Sequence, residues 1–128
     1  MRDVWDVILL ALLCFQVKHF LCDFVFQTEY QIQNKAIYGH AAGLLHAGLH
    51  TVGSLPALLI LSARPEVIGI CLLGEFIIHY HADWFKARFD ARKALEEKDN
   101  TYWIIFGMDQ FIHQVTYLGM VFIVHIWA

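Results

Sequence analysis

Charge is scarce in this chain of 128 residues: 16% are Asp, Glu, Lys or Arg, against 59% that are hydrophobic. A soluble domain of this length needs polar side chains over most of its outer surface, and too few are present to supply them. The mean hydropathy of +0.51 points the same way. Cysteine is also sparse. Cys14, Cys22 and Cys71 are odd in number, lack Cys-x-x-Cys spacing and fall in apolar stretches, so no disulfide framework is implied. Basic residues form no face, the net charge is −3, and no RNA- or DNA-binding motif occurs, which excludes nucleic acid as a partner. The length suits one compact unit over residues 1–128 and no second domain.

What the chain does have is long apolar runs. Crossing a hydrocarbon core takes about 20 residues of helix. Four stretches are long enough, at approximately 4–27, 40–61, 66–89 and 102–127. The fold expected is all-α, an integral membrane bundle of four antiparallel transmembrane helices. The first stretch could be mistaken for a signal peptide, but Asp3 and Asp6 offset its single basic residue, and no small-residue cleavage site follows. It reads instead as a retained helix. Thr28 to Gly39, Ser62 to Pro65 and Asp90 to Thr101 connect the helices. Pro65 suits a first helical turn, Pro56 should bend the second helix, and Trp84 to Lys98 reads as a helical extension at the lipid headgroups.

Orientation follows from the basic residues. Lys35, Lys86, Arg88, Arg92, Lys93 and Lys98 flank the first and third connections, while Arg2 and Arg64 lie on the opposite side. The positive-inside rule then makes the two longer connections cytoplasmic and puts both termini outside, the setting expected of a bacterial inner membrane.

The polar residues inside the apolar stretches are patterned. Each stretch carries one pair of candidate ligands four residues apart: His19 and Asp23, His46 and His50, His79 and Asp83, Asp109 and His113. Residues at i and i+4 share one helix face, so each pair can point at a common target. The pairs lie near the ends of the first and third helices and near the starts of the second and fourth, which an antiparallel bundle brings to one depth. Asp23, His46, Asp83 and Asp109 should form a layer nearer the surface, with His19, His50, His79 and His113 one turn deeper.

Ionisable groups are costly in a bilayer and are usually paired and functional. Three clustered carboxylates repel each other unless a cation lies between them. One or two divalent ions would relieve that repulsion, as in other four-helix bundles that project carboxylates and imidazoles inward. Donors without thiolate suit Zn, Fe or Mn, and Zn is the ion expected. The alternatives are a metal-free network of His–Asp hydrogen bonds that fixes helix register, and a haem between facing His residues. Glu75 extends the third ladder by one turn, where it could orient His79 or act as a base. Gln27 and Gln110 flank the pairs, and Lys35 and Lys86 stand at the lip. His40, His81 and His125 have no partner four residues away and read as interfacial or packing residues.

The segments HFLCDFVFQTEYQIQNK, HAGLH, HYHADWFK and DQFIHQ resemble an uncharacterised bacterial membrane-protein family catalogued as domain of unknown function 3307. The resemblance spans nearly the whole chain and includes His19, Asp23, Phe24, Gln27, Lys35, His46, His50, His79, Asp83, Lys86, Asp109, Gln110 and His113. It implies that Gln27, Lys35, Lys86 and Gln110 belong to the site, and it brings no activity with it.

The function expected is metal binding within the membrane, with hydrolysis of a lipid headgroup or other anionic substrate from the cytoplasmic side. Glu75, Asp23 and Asp109 are the candidates for handling the proton, and Lys35 and Lys86 for receiving the anion. The alternatives are a divalent-metal transporter or binding protein, or a di-iron or haem redox protein. The lipid bilayer is the partner expected, and so small a unit is also compatible with a homo-oligomer.

Overall fold

The computed structural model describes residues 3–127. Among these the chain is helical, without a strand: α1 (Val4–Phe20), a π-helical turn (Leu21–Val25), α2 (Glu29–Asn34), α3 (Ala41–Ile60), α4 (Pro65–Lys93) and α5 (Asn100–Ile126). Arg2, which entered the charge count, lies outside the described residues.

Local chemistry accounts for most helix ends. Asp3 accepts from the Trp5 N–H at the start of α1, and His40 Nδ1 accepts from the Ala42 N–H (3.1 Å) at the start of α3. His40 is therefore a capping residue. Pro65 opens α4, where no intrahelical donor is lost. The same helix runs on to Lys93 and stops at Ala94, which adopts the left-handed conformation at φ 48°.

Two features depart from the expected layout. The first helix does not continue as a regular α-helix to Gln27 but widens into a π turn at Leu21–Val25, with Asp23 at its centre. Such turns insert a residue into the helical ladder and re-aim the side chains they carry. The first connection also contains a helix of its own. Thr28 Oγ1 accepts from the Gln31 N–H (3.4 Å), and Gln31 Oε1 accepts from the Thr28 N–H (3.1 Å). This reciprocal capping box starts α2, which ends beside Lys35 and holds it at the mouth of the bundle. Gly39, at φ +76°, then turns the chain into α3, and its N–H donates to the Tyr80 hydroxyl (2.6 Å).

Around the bundle, α1 packs on α3, α3 on α4 and α4 on α5, and a slighter contact between α5 and α1 closes the circuit. The interior has two unlike halves. At one end Ala11, Phe15, Ala57, Leu58, Val67, Cys71, Tyr117, Met120 and Val124 form an apolar core, with the rings of Phe15 and Tyr117 stacked at 5.1 Å. At the other end the buried residues include His19, His46, His50, His79, Asp109 and His113. The outer surface is the reverse, with Leu9, Leu13, Val52, Leu59, Leu73, Phe111 and Phe122 largely exposed.

By length and composition two helical stretches qualify as membrane spans, Val4–Val25 (22 residues) and Ala41–Ile60 (20 residues). α4 and α5 are longer than either, but they carry the acidic, imidazole and amide residues that lower their average apolarity.

Candidate metal centre

The eight paired residues converge. The imidazoles of the deeper layer, one from each long helix, form a closed ring: His19 to His50 is 5.7 Å between centroids, His50 to His79 3.9 Å, His79 to His113 4.1 Å, and His113 to His19 5.6 Å. The carboxylates pack against this ring. Asp23 lies 2.8 Å from His50 Nε2, 3.1 Å from His46 Nε2 and 3.3 Å from His19 Nε2. Asp83 lies 3.0 Å from His113 Nε2, 3.2 Å from His46 Nε2 and 3.6 Å from His79 Nε2. Asp109 reaches His113 Nε2 at 3.2 Å.

The imidazoles divide by their partners. His19 Nε2 donates to Gln110 Oε1 (2.8 Å), leaving Nδ1 to accept from the Tyr117 hydroxyl (3.0 Å). His50 is engaged on both nitrogens as well. Its Nδ1 faces the Lys18 ammonium (3.3 Å), a group that can only donate, so Nε2 carries the proton and donates to Asp23 Oδ1. His46 and His79 differ from both. They are 1% and 2% exposed, and neither ring nitrogen of either residue has a hydrogen-bond partner among the described residues.

Buried polar atoms in folded proteins are nearly always hydrogen-bonded, so four orphaned nitrogens at one place require an explanation. His46 Nε2 is near two carboxylate oxygens without being aimed at either. Atoms that ligate a common ion at ~2.0–2.1 Å stand roughly 3.0–3.4 Å apart while pointing at the ion and not at each other. The spacing around His46 fits that arrangement. Two sets of side chains are placed so that their ligand atoms could hold an ion: Asp23, His46, His50 and His79 form one, and His79, Asp83 and His113 the other. The structure thus has His/Asp groups positioned to hold a metal ion. His19 and Asp109 touch the cluster but belong to neither set.

The remaining site residues fall at two levels. A polar pocket of about 90 Å³ is lined by Asp23, Gln27, Lys35, Asp83, Lys86, Asp109 and Gln110, among others. Lys35 donates to Asp83 Oδ2 (2.7 Å) and to Gln27 Oε1, so the first connection is tied directly to a candidate ligand. Gln27 Nε2 donates to the Asp23 carbonyl (3.1 Å), and Gln110 Nε2 to Asp109 Oδ2 (3.2 Å). Lys86 approaches Asp90 at 3.7 Å and lies over the Phe106 ring.

Glu75 stands elsewhere. It does not line this pocket; its Oε1 accepts from Lys18 on the far side of His50. The i−4 position relative to His79 carries Glu75 past the imidazole ring and into the depth of the bundle, so it faces Lys18 and not the mouth. His81 is outside the cluster too, bonded to Tyr38 and the Ile77 carbonyl.

Two participants were missed in the sequence. Lys18 is buried at the floor of the cluster, bonded to Glu75 and to the His50 carbonyl (3.0 Å), with its ammonium 4.5 Å from the Tyr117 ring centroid. Tyr117 separates the polar half of the interior from the apolar half. The signal for Lys18 was a lysine within an apolar stretch, in the last turn of α1 beside His19, which needs a buried counter-charge. Tyr117 lies four residues beyond His113, on the same helix face.

No curated protein and no solved structure matches the chain. A family profile does match, over residues 8–128, and by that match the chain belongs to the family described as protein of unknown function DUF3307.

Proposed function

We propose that this protein is a membrane-embedded metalloprotein in which four antiparallel spans enclose a divalent-ion site, and that it hydrolyses an anionic substrate reaching that site from the loop side. The spanning role of α1 and α3 is supported by their length and apolarity, and that of α4 and α5 by the exposed apolar faces around Leu73, Phe111 and Phe122. Interior ionisable groups with a hydrocarbon exterior suit a bilayer. Residues 1–128 act as one unit in this reading, with the basic loops cytoplasmic and both termini outside.

One observation carries the metal: the unpartnered nitrogens of His46 and His79 beside the carboxylates of Asp23 and Asp83. A network that served only to hold helix register would pair these nitrogens. Of the two sets, we assign the ion to His46 and His79 with Asp23 from the first and Asp83 and His113 from the second; His50, engaged by Lys18 and Asp23 on its two nitrogens, orients Asp23. Imidazole and carboxylate donors favour Zn, Fe or Mn, of which we propose Zn.

A bound divalent ion would supply Lewis acidity and a water ionised near neutral pH. The chain's own groups do the rest. Asp109 lines the pocket with its Oδ1 3.2 Å from His113 Nε2 and is placed to take or return a proton there. Lys86 and Lys35 bind the negative group. His50, held in one tautomer by Lys18, fixes the Asp23 carboxylate, and Glu75 neutralises Lys18. Transport is disfavoured, because a conduit needs exits on both sides. Phe15, Tyr117, Leu58 and Met120 close the far side.

Elemental analysis of gently purified protein, together with its visible spectrum, tests the reading. A stoichiometric colourless ion and metal-dependent cleavage of chromogenic phosphate or carboxylate esters are expected. Protein with no bound metal would end the proposal, and an iron or haem absorption band would replace hydrolysis by redox chemistry.

A further inference from the structure

The seam between α4 and α5 carries two apolar cavities that the metal site does not use. One, of about 530 Å³, is lined by Ile77, Phe85, Ile105 and Met108 among others, and ends at Lys86 and Asp109. The other, of about 480 Å³, adjoins it through the shared Ile78 and Ile112 and extends to Ile70 and Ile123. Lys86 and Asp109 also line the polar pocket above the His–Asp cluster, so the two cavities and the pocket lie end to end along one seam with shared walls. At 1.5 Å per residue, the α4 wall from Ile70 to Lys86 is about 24 Å long.

We propose that this seam is the tail-binding groove of a membrane lipid with an anionic headgroup, which enters sideways from the bilayer and places its head at Lys86 and Lys35. The proposal deepens the function proposed above and rests on it for the membrane setting and for the site at the groove's end.

The groove has the profile of such a molecule, being mostly apolar along its length, with Glu75 and Thr116 the polar residues of the deeper cavity, and charged at one end. Lys86 is the cation best able to receive the head. Its nearest acidic partner, Asp90, is 3.7 Å away, whereas Lys35 already donates to Asp83 and Gln27. Gly74 and Gly119 line the deeper cavity, and a Cβ built on either would meet nothing within 4 Å. Their missing side chains are room in the groove and are not needed for helix contact within the chain. Charge decides between a hydrocarbon chain and a helix from a second copy: an apolar helix face offers nothing to pair with Lys86 at the groove's end, whereas an anionic headgroup on an apolar tail does.

The test uses the full-length, metal-loaded protein in phosphatidylcholine nanodiscs containing phosphatidic acid with a photoreactive diazirine in its acyl chain. Adducts are expected on α4 and α5, at the walls between Ile70 and Phe85 and between Ile105 and Ile123. Gly119→Leu and Gly74→Leu fill open space and should keep metal content while reducing labelling about tenfold, equivalent to 1.4 kcal/mol. Gly69→Leu, which also meets open space but lies outside the groove, should leave labelling unchanged. Lys86→Gln should remove the preference for phosphatidic acid over a phosphatidylcholine probe. Even labelling of all four long helices, or labelling that ignores Gly119→Leu, overturns the groove while leaving the metal site intact. So does disulfide cross-linking of Gly119→Cys between copies that abolishes labelling, since a second copy would then fill the seam. Groove-specific labelling of protein that holds no metal would uphold the groove and defeat the metal reading.

Discussion

His46 and His79 face each other from α3 and α4 with ring centroids 5.3 Å apart, and among the described residues no group hydrogen-bonds to any of their four ring nitrogens. Each ring is closely neighboured by a carboxylate, so what is missing is a shared centre and not polar company. His46→Ala or His79→Ala should each reduce metal content, measured by elemental analysis, to near zero. His50→Ala should weaken affinity by about 10–100-fold, as expected for a group that orients a ligand. Equal retention of metal by all three variants would place the ion elsewhere.

The Lys18–Glu75 pair lies at the floor of the cluster, with side chains 7% and 1% exposed. Removing one partner leaves an uncompensated buried charge, which typically costs about 3–5 kcal/mol. Lys18→Met and Glu75→Leu should each lower stability by that order in a denaturant titration of the detergent-solubilised protein. The double variant should recover most of the loss. Additive losses would mean that the two side chains do not act as a pair.

Thr28 starts α2 through its capping box with Gln31. Thr28→Ala should cost about 1 kcal/mol locally. Faster amide exchange over residues 29–35 is expected, with metal content retained, because Thr28 and Gln31 bond each other and no candidate ligand, while Lys35 depends on the helix they start. Unchanged exchange would show that α2 is held by its packing on α3 alone.

Gly39 occupies the left-handed region at φ +76°, and a Cβ there meets no neighbour. Gly39→Ala should therefore cost about 1–2 kcal/mol through backbone strain alone. Gly39→Asn should cost less, since Asn tolerates this conformation. Comparing the two melting temperatures separates strain from crowding, because crowding would penalise Asn more.

The basic loops define a topology that labelling can check. A cysteine introduced at Lys98 should react with a membrane-impermeant maleimide only after the cytoplasmic face is opened. One introduced at Arg64 should react in intact cells. The reverse pattern would invert the orientation and with it the side from which substrate arrives.

Much of this arrangement could be read from residue order. Spacing of four in each apolar stretch places His and Asp on a single helix face, and alternating chain direction brings the four faces to one depth. Both follow from helical geometry alone, so the closed ring of His19, His50, His79 and His113 was foreseeable. The Thr28–Gln31 capping box was also present in the sequence, although a stretch as short as α2 has little periodicity to display. The π turn around Asp23 had no such signal. Widening a helix by one residue is decided by the groups that compete for the re-aimed side chain, here His46 and His50 on another helix.

Sequence alone determined that the polar groups would gather and that the exterior would be apolar, because both depend on local periodicity and composition. Tertiary structure decided what each member of the cluster does. Whether a buried imidazole is already hydrogen-bonded, like His19 and His50, or left with open lone pairs, like His46 and His79, depends on distances of a few ångströms between helices. Glu75 shows the same limit: its helix face was predictable, but its bond to Lys18, set by how α1 packs beside α3 and α4, was not. Side-chain pairing between elements is fixed only once the elements meet.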